Sequence, residues 1–136
     1  MIEFFIALED IPTHTAQQQR LGVSKGGKPY VYKDQELKDI ENMFLGELYK
    51  FTPEIPIKPP VRLITRWLFR NNGSQKDGEY KITKPDTDNL LKLFKDCMAK
   101  LGFFKNDAHV ASELTEKFWA NTPGIYVKVE RITDGH

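Results

Sequence analysis

A single cysteine, Cys97, stands in this chain of 136 residues. No disulfide can form within it, and a stapled scaffold is excluded. No run of eighteen apolar residues occurs, and no cationic start leads into a short apolar stretch. Neither a spanning helix nor a secretory leader is read, and the expected location is the cytoplasm. The net charge is only +1, so bulk electrostatics do not mark a polyanion binder. No glycine-rich phosphate loop follows a strand, which argues against a nucleotide-binding domain. Acid is also missing locally. From Ile11 to Lys33 there is no Asp or Glu, while Arg20, Lys25, Lys28 and Lys33 supply positive charge. That patch is either a solvated loop or a surface that contacts phosphates.

What is present suits one domain, residues 1–136. The 40% of apolar residues suffices for a core. Met1–Leu8 reads as an apolar strand around Phe4, Phe5 and Ile6. Ile11–Tyr32 is polar, broken by glycine and proline, and reads as a long loop. Lys33–Phe51 carries Leu37, Ile40, Phe44, Leu45 and Leu48 at helical spacing. Pro53 to Pro60 holds four prolines, which makes it a stiff connector.

Val61–Arg70 alternates as a strand does. Val61, Leu63, Thr65, Trp67 and Phe69 share one face. Arg62, Arg66 and Arg70 share the other with Ile64 and Leu68. The arginines read first as solvent-facing residues on an open sheet, and second as a phosphate-contacting row. A second helix opens at Asp86 or Thr87. Its apolar side is Leu90, Leu91, Phe94, Cys97, Met98 and Leu101, and Gly102 ends it. Ala108–Ala120 and Ile125–Ile132 read as strands joined by a turn. The order strand, helix, strand, helix, strand, strand gives an α+β fold, with two helices packed on one face of a small mixed β-sheet.

The chemistry concentrates in Lys84-Pro85-Asp86-Thr87-Asp88-Asn89-Leu90-Leu91-Lys92 and, beyond the helix, Asn106-Asp107. Carboxylates offered at a helix mouth suit a hard cation such as Mg²⁺. Mg²⁺ beside a lysine suits phosphoryl chemistry. The plainer readings are strong for each residue alone. Asp86 as an N-cap is worth ~1 kcal/mol. Asp88 in the first turn is favoured by the helix dipole. Lys92, four residues after Asp88, makes an ordinary ion pair of about 0.3 kcal/mol.

The pair is harder to dismiss, because a cap needs one side chain. Two residues apart in a helix diverge by about 200°, so Asp86 and Asp88 converge only if Asp86 is still extended. Asp107 has a reach problem. The helix is about 22 Å long, and the return from Gly102 spans about 20 Å at most. Asp107 meets the pair either by running straight back beside the helix or from a second subunit. His109 shares a face with Asp107 if both lie in a strand. It is then a fourth ligand or, since Mg²⁺ prefers oxygen, a polar strand residue or a substrate contact.

At these residues the chain resembles the RusA family of Holliday-junction resolvases, small endodeoxyribonucleases of bacteria, phages and prophages. The family pattern runs Asp-x-Asp-Asn-x-x-Lys, a helix, a Gly-Phe/Val-aromatic step, then Asp-Asp or Asn-Asp before a strand. Here it is Asp86-Thr87-Asp88-Asn89-Leu90-Leu91-Lys92, then Leu101-Gly102-Phe103-Phe104-Lys105-Asn106-Asp107-Ala108. The resemblance implies a RusA-like fold and a homodimeric, Mg²⁺-dependent nuclease that resolves four-way junctions by paired cuts leaving 5′-phosphates, in recombination and repair. Mn²⁺ is expected to substitute. The resemblance makes Asp86, Asp88 and Asp107 the metal ligands, makes Lys92 essential to chemistry, and gives Asn89 a supporting role. Asn106 replaces an acid that some members carry, and His109 stands where the family often has Gln. Arg20, Lys25, Lys28 and Lys84 are the expected DNA contacts. The alternatives are a protein that binds branched DNA without cutting it and, more remotely, an Asp-x-Asp nucleotide-sugar transferase.

Overall fold

The computed structural model describes residues 1–13, 20–23, 29–32 and 35–133. Its elements, in chain order, are β1 (Ile2–Ala7), β2 (Arg20–Val23), β3 (Pro29–Tyr32), α1 (Gln35–Tyr49), β4 (Val61–Arg70), α2 (Thr87–Leu101), a 3₁₀ turn (Asp107–His109), β5 (Val110–Ala120) and β6 (Gly124–Arg131). Four strands form one mixed sheet in the order β1-β6-β4-β5. β4 runs parallel to β5 and antiparallel to β6, which in turn pairs antiparallel with β1. β2 and β3 make a separate two-stranded ribbon.

The α+β expectation holds, and β4 has the bounds read from its alternation. Val61, Leu63, Thr65, Trp67 and Phe69 are buried, and the opposite face is partly open. Thr65 is tolerated in the core because it accepts a hydrogen bond from Trp67 Nε1 at 3.0 Å, which satisfies the indole donor. Leu37, Phe44 and Leu48 of α1, with Leu90, Phe94, Cys97 and Met98 of α2, complete that core. Phe44, Trp67 and Phe94 meet edge to face, with centroids 5.1–6.1 Å apart. Cys97 is buried, as its helical phase requires.

Two differences have physical causes. The segment read as one loop contains the β2–β3 ribbon, whose four-residue strands are too short to show an alternating pattern. Asp107–His109 is a 3₁₀ turn rather than the start of a strand. Asn106 makes this turn, since its side chain accepts from the Ala108 N–H at 2.8 Å. Gly102 ends α2 at φ 93°, a left-handed conformation that glycine adopts without strain. The chain then turns back and buries Phe103 and Phe104 completely. Gly124 opens β6 beside β1, and a Cβ there would collide with the Phe5 ring and the Ile6 carbonyl.

Candidate metal and phosphate site

The approach to α2 is built by β5. Residues 78–81 add to its edge through Gly78 N–H to Trp119 O at 2.7 Å, Trp119 N–H to Glu79 O at 2.8 Å and Lys81 N–H to Lys117 O at 3.0 Å. Lys81 is nearly buried, with its ammonium 4.2 Å from the Trp119 ring centroid. Burial, and then the neighbouring Lys117 charge, push its pKa down. Lys117 Nζ donates to the Thr83 and Pro85 carbonyls at 2.6 and 2.7 Å. That ammonium ties down the two carbonyls ahead of Asp86, and α2 begins with Leu90 N–H to Asp86 O at 3.1 Å. Neither Lys81 nor Lys117 stood out in the sequence. A lysine in an alternating strand carries no sign that it grips a distant loop.

Asp86 is extended, at φ −70° and ψ 150°, while Thr87 and Asp88 are helical. This is the geometry in which two acids two residues apart can turn toward one point. Asp86 occupies the N-cap position, but its side chain makes no capping hydrogen bond. The Asp88–Lys92 ion pair is also missing: neither residue has a hydrogen-bond or ion-pair partner among the described residues, and both are exposed. The capping bond of Asp86 and the Asp88–Lys92 ion pair are therefore unrealised, while Asp88 keeps its favourable place in the first turn of α2. Asn89 is half-buried and turns toward Pro12, Ile40 and Phe44.

Asp107 returns only part of the way along α2. It stands beside Asp96, eight residues past Asp88, which is about 12 Å of helix axis. Burial first, and then Asp96, raise the Asp107 pKa, with Lys95 opposing them. Its Oδ1 is buried and has no hydrogen-bond partner. Lys95 is itself engaged by Glu113 at 2.6 Å. No three His, Cys, Asp or Glu side chains among the described residues gather closely enough to hold a metal ion. Within one chain, Asp86 and Asp88 therefore stand apart from Asp107, and Asp96 is its acidic neighbour. Helical counting could have found Asp96, which follows Asp88 and Lys92 on one face at steps of four.

His109 does not share a face with Asp107, as it would in a strand. At three residues per turn, positions two apart point in different directions. His109 instead lines a groove with Pro56, Ile57, Lys58, Pro59 and Lys105. Of the expected DNA contacts, Lys84 is exposed just ahead of Asp86, and Arg20 opens β2. Lys25 and Lys28 lie outside the described residues.

The donor set fits a hard divalent cation in its chemistry. The carboxylates of Asp86 and Asp88 are free of other bonds among the described residues, and Asp107 adds a buried Oδ1 without a partner, beside Asp96. Among the described residues, no helix is long and apolar enough to cross a membrane.

Comparison with known proteins agrees with this chemistry. The family model described as "Endodeoxyribonuclease RusA" matches residues 12–130. The chain is 28% identical over 112 residues to a curated protein of Lactococcus phage r1t, "Crossover junction endodeoxyribonuclease rusA", covering 79% of this chain and 81% of the relative.

Proposed function

The chain belongs to the RusA endodeoxyribonuclease family, and from that membership we propose that it resolves four-way DNA junctions by paired, Mg²⁺-dependent hydrolysis as a homodimer. The observation that carries the reading is the uncommitted state of Asp86, Asp88 and Lys92. These three charged side chains stand exposed at one helix mouth with no hydrogen-bond or ion-pair partner among the described residues.

Asp86, Asp88 and Asp107 would hold the metal. Bound Mg²⁺ would supply Lewis-acid polarisation of the phosphodiester and a more acidic water. The chain's own residues do the rest. Lys92, one turn inside the helix, presents an unpaired ammonium to charge developing on the phosphate oxygens, or gives its proton to the leaving oxygen. The N-terminus of α2 adds its dipole to the same end. Lys117 keeps Asp86 extended by holding the carbonyls before it. Asn106 caps the turn that carries Asp107, so its lost negative charge is exchanged for a fixed backbone. The separation of Asp107 from the pair in one chain favours a site completed across two subunits. Mixing inactive Asp107→Asn and Asp86→Asn proteins tests that: restored cutting supports shared sites, and unrestored cutting argues for sites within one chain.

The function is tested with a synthetic four-way junction and a linear duplex, each in Mg²⁺ and in chelator. Symmetric nicks leaving 5′-phosphates, only on the junction and only with metal, are expected. Junction binding with no cutting in either condition would favour a non-cleaving DNA-structure-binding protein.

A further inference from the structure

A groove of about 270 Å³ lies between the proline connector and the turn that carries Asp107. Its lining is Pro56, Ile57, Lys58, Pro59, Lys105 and His109. The connector is fastened to the return of the chain by Ile57 N–H donating to Phe103 O at 2.8 Å. The groove is thus preformed, since prolines leave its wall few conformations. Its floor is apolar. Lys58 and Lys105 are exposed at its rim, and neither has an ion-pair or hydrogen-bond partner among the described residues. The imidazole Nδ1 of His109 is buried with no partner. Lys105 and His109 flank Asp107 in the chain, so the groove lies beside the turn that carries Asp107.

Apolar walls and two free ammonium groups complement a nucleotide. Its phosphate meets the lysines, and its sugar or base lies on the prolines and Ile57. The three arginines of β4 offer no such complement, because each already faces a carboxylate. We infer that this groove seats the DNA strand next to the bond that is cut, with Lys58 and Lys105 on a backbone phosphate. The inference rests on the proposed junction cleavage and adds residues to it.

The test is junction binding in chelator, as a function of salt, by wild-type protein and by a Lys58→Ala/Lys105→Ala variant. Lys76→Ala, on another loop, is the control. Both lysines of the pair are exposed, so thermal melting should not change. Affinity should fall on the order of tenfold. The slope of log affinity against log salt should become shallower by about two, one for each lost phosphate contact. A scan of neutral methylphosphonate linkages around the mapped cut then locates the contact. One linkage should weaken the wild type and leave the double variant unaffected. If the double variant matches wild type in affinity, in salt slope and in response to every linkage, the groove does not bind the strand, while junction cleavage by the wild type still stands. A wild type that neither binds nor cuts junctions overturns the groove and the proposed function together.

Discussion

The α2 edge and the open face of the sheet are both charged, and they differ in whether that charge is cancelled on the spot. On the open face, Arg62 lies 3.7 Å from Glu130, Arg66 3.6 Å from Glu116, and Arg70 3.7 Å from Asp10 while also donating to the Glu9 carbonyl at 2.8 Å. Arg66 further stacks over Tyr126. At the α2 edge, Asp86, Asp88 and Lys92 have no such partners among the described residues, though two of them sit one turn apart on a helix. A charged side chain is informative when nearby opposite charge is ignored. Neutralised arginines are structural furniture of a twisted sheet, each pair worth roughly 0–1 kcal/mol. Uncommitted acids at a fixed helix mouth are available for a ligand.

The sharpest way to break this contrast is Lys92→Ala. Junction cutting should fall at least about a hundredfold, as when one charge-stabilising donor is removed from an active site, with junction binding retained. Near-normal cutting by that variant would remove Lys92 from the chemistry. A smaller loss is expected from Lys117→Ala, which touches no substrate in this account. Freed carbonyls at Thr83 and Pro85 should let Asp86 shift, and cutting should drop roughly tenfold. Raising Mg²⁺ should recover part of that loss, whereas it should not rescue Lys92→Ala.

Asp107 gives a pH signature. Its raised pKa means the folded, metal-free protein holds that proton above the ordinary carboxylate range. The group's contribution to stability is complete below the usual carboxylate pKa and fades as pH rises through the elevated value. Melting temperatures in chelator, followed from pH 4 to 7, should therefore decline more for wild type than for Asp107→Asn. Mg²⁺ should restore wild type at the upper end and leave the variant unchanged. Parallel curves would mean that burial and the neighbouring Asp96 do not raise the Asp107 pKa. The smallest effect belongs to Arg62→Ala and Arg66→Ala. Each should change junction affinity by less than about threefold and stability by under about 1 kcal/mol. A large loss of affinity in either would make the open face a phosphate-contacting surface after all.

Much of the fold was legible because long elements declare their period. The alternation of β4 gave its bounds to the residue, and the apolar stripe of α2 with its flanking cap residues placed that helix to within one residue at its start. Gly102 marked the end of α2, since only a residue free to take positive φ closes a helix that way at little cost. The β2–β3 ribbon was not legible: its strands of four residues are too short to show a pattern. The 3₁₀ turn at Asp107 was hidden for a related reason. A side chain capping its own backbone, as Asn106 does, looks in sequence like any residue before a strand.

The acids and Lys92 were visible as a spacing, but their freedom from partners was not. Sequence offers Asp88 and Lys92 as an ion pair, and only the folded structure reveals that the pair is unmade. The hold of Lys117 on residues 83–85 and the groove around Lys58 and Lys105 depend on segments distant in the chain. Their juxtaposition is a product of packing rather than of local pattern.

The decisive measurement is the single-turnover cutting rate of a pre-bound four-way junction in Mg²⁺, for Asp86→Asn/Asp88→Asn beside Arg62→Ala/Arg66→Ala. The first protein should hold the junction and leave it intact, while the second cuts at close to the wild-type rate. Cutting by the first at near wild-type rate would contradict the assignment of metal-dependent hydrolysis to the mouth of α2.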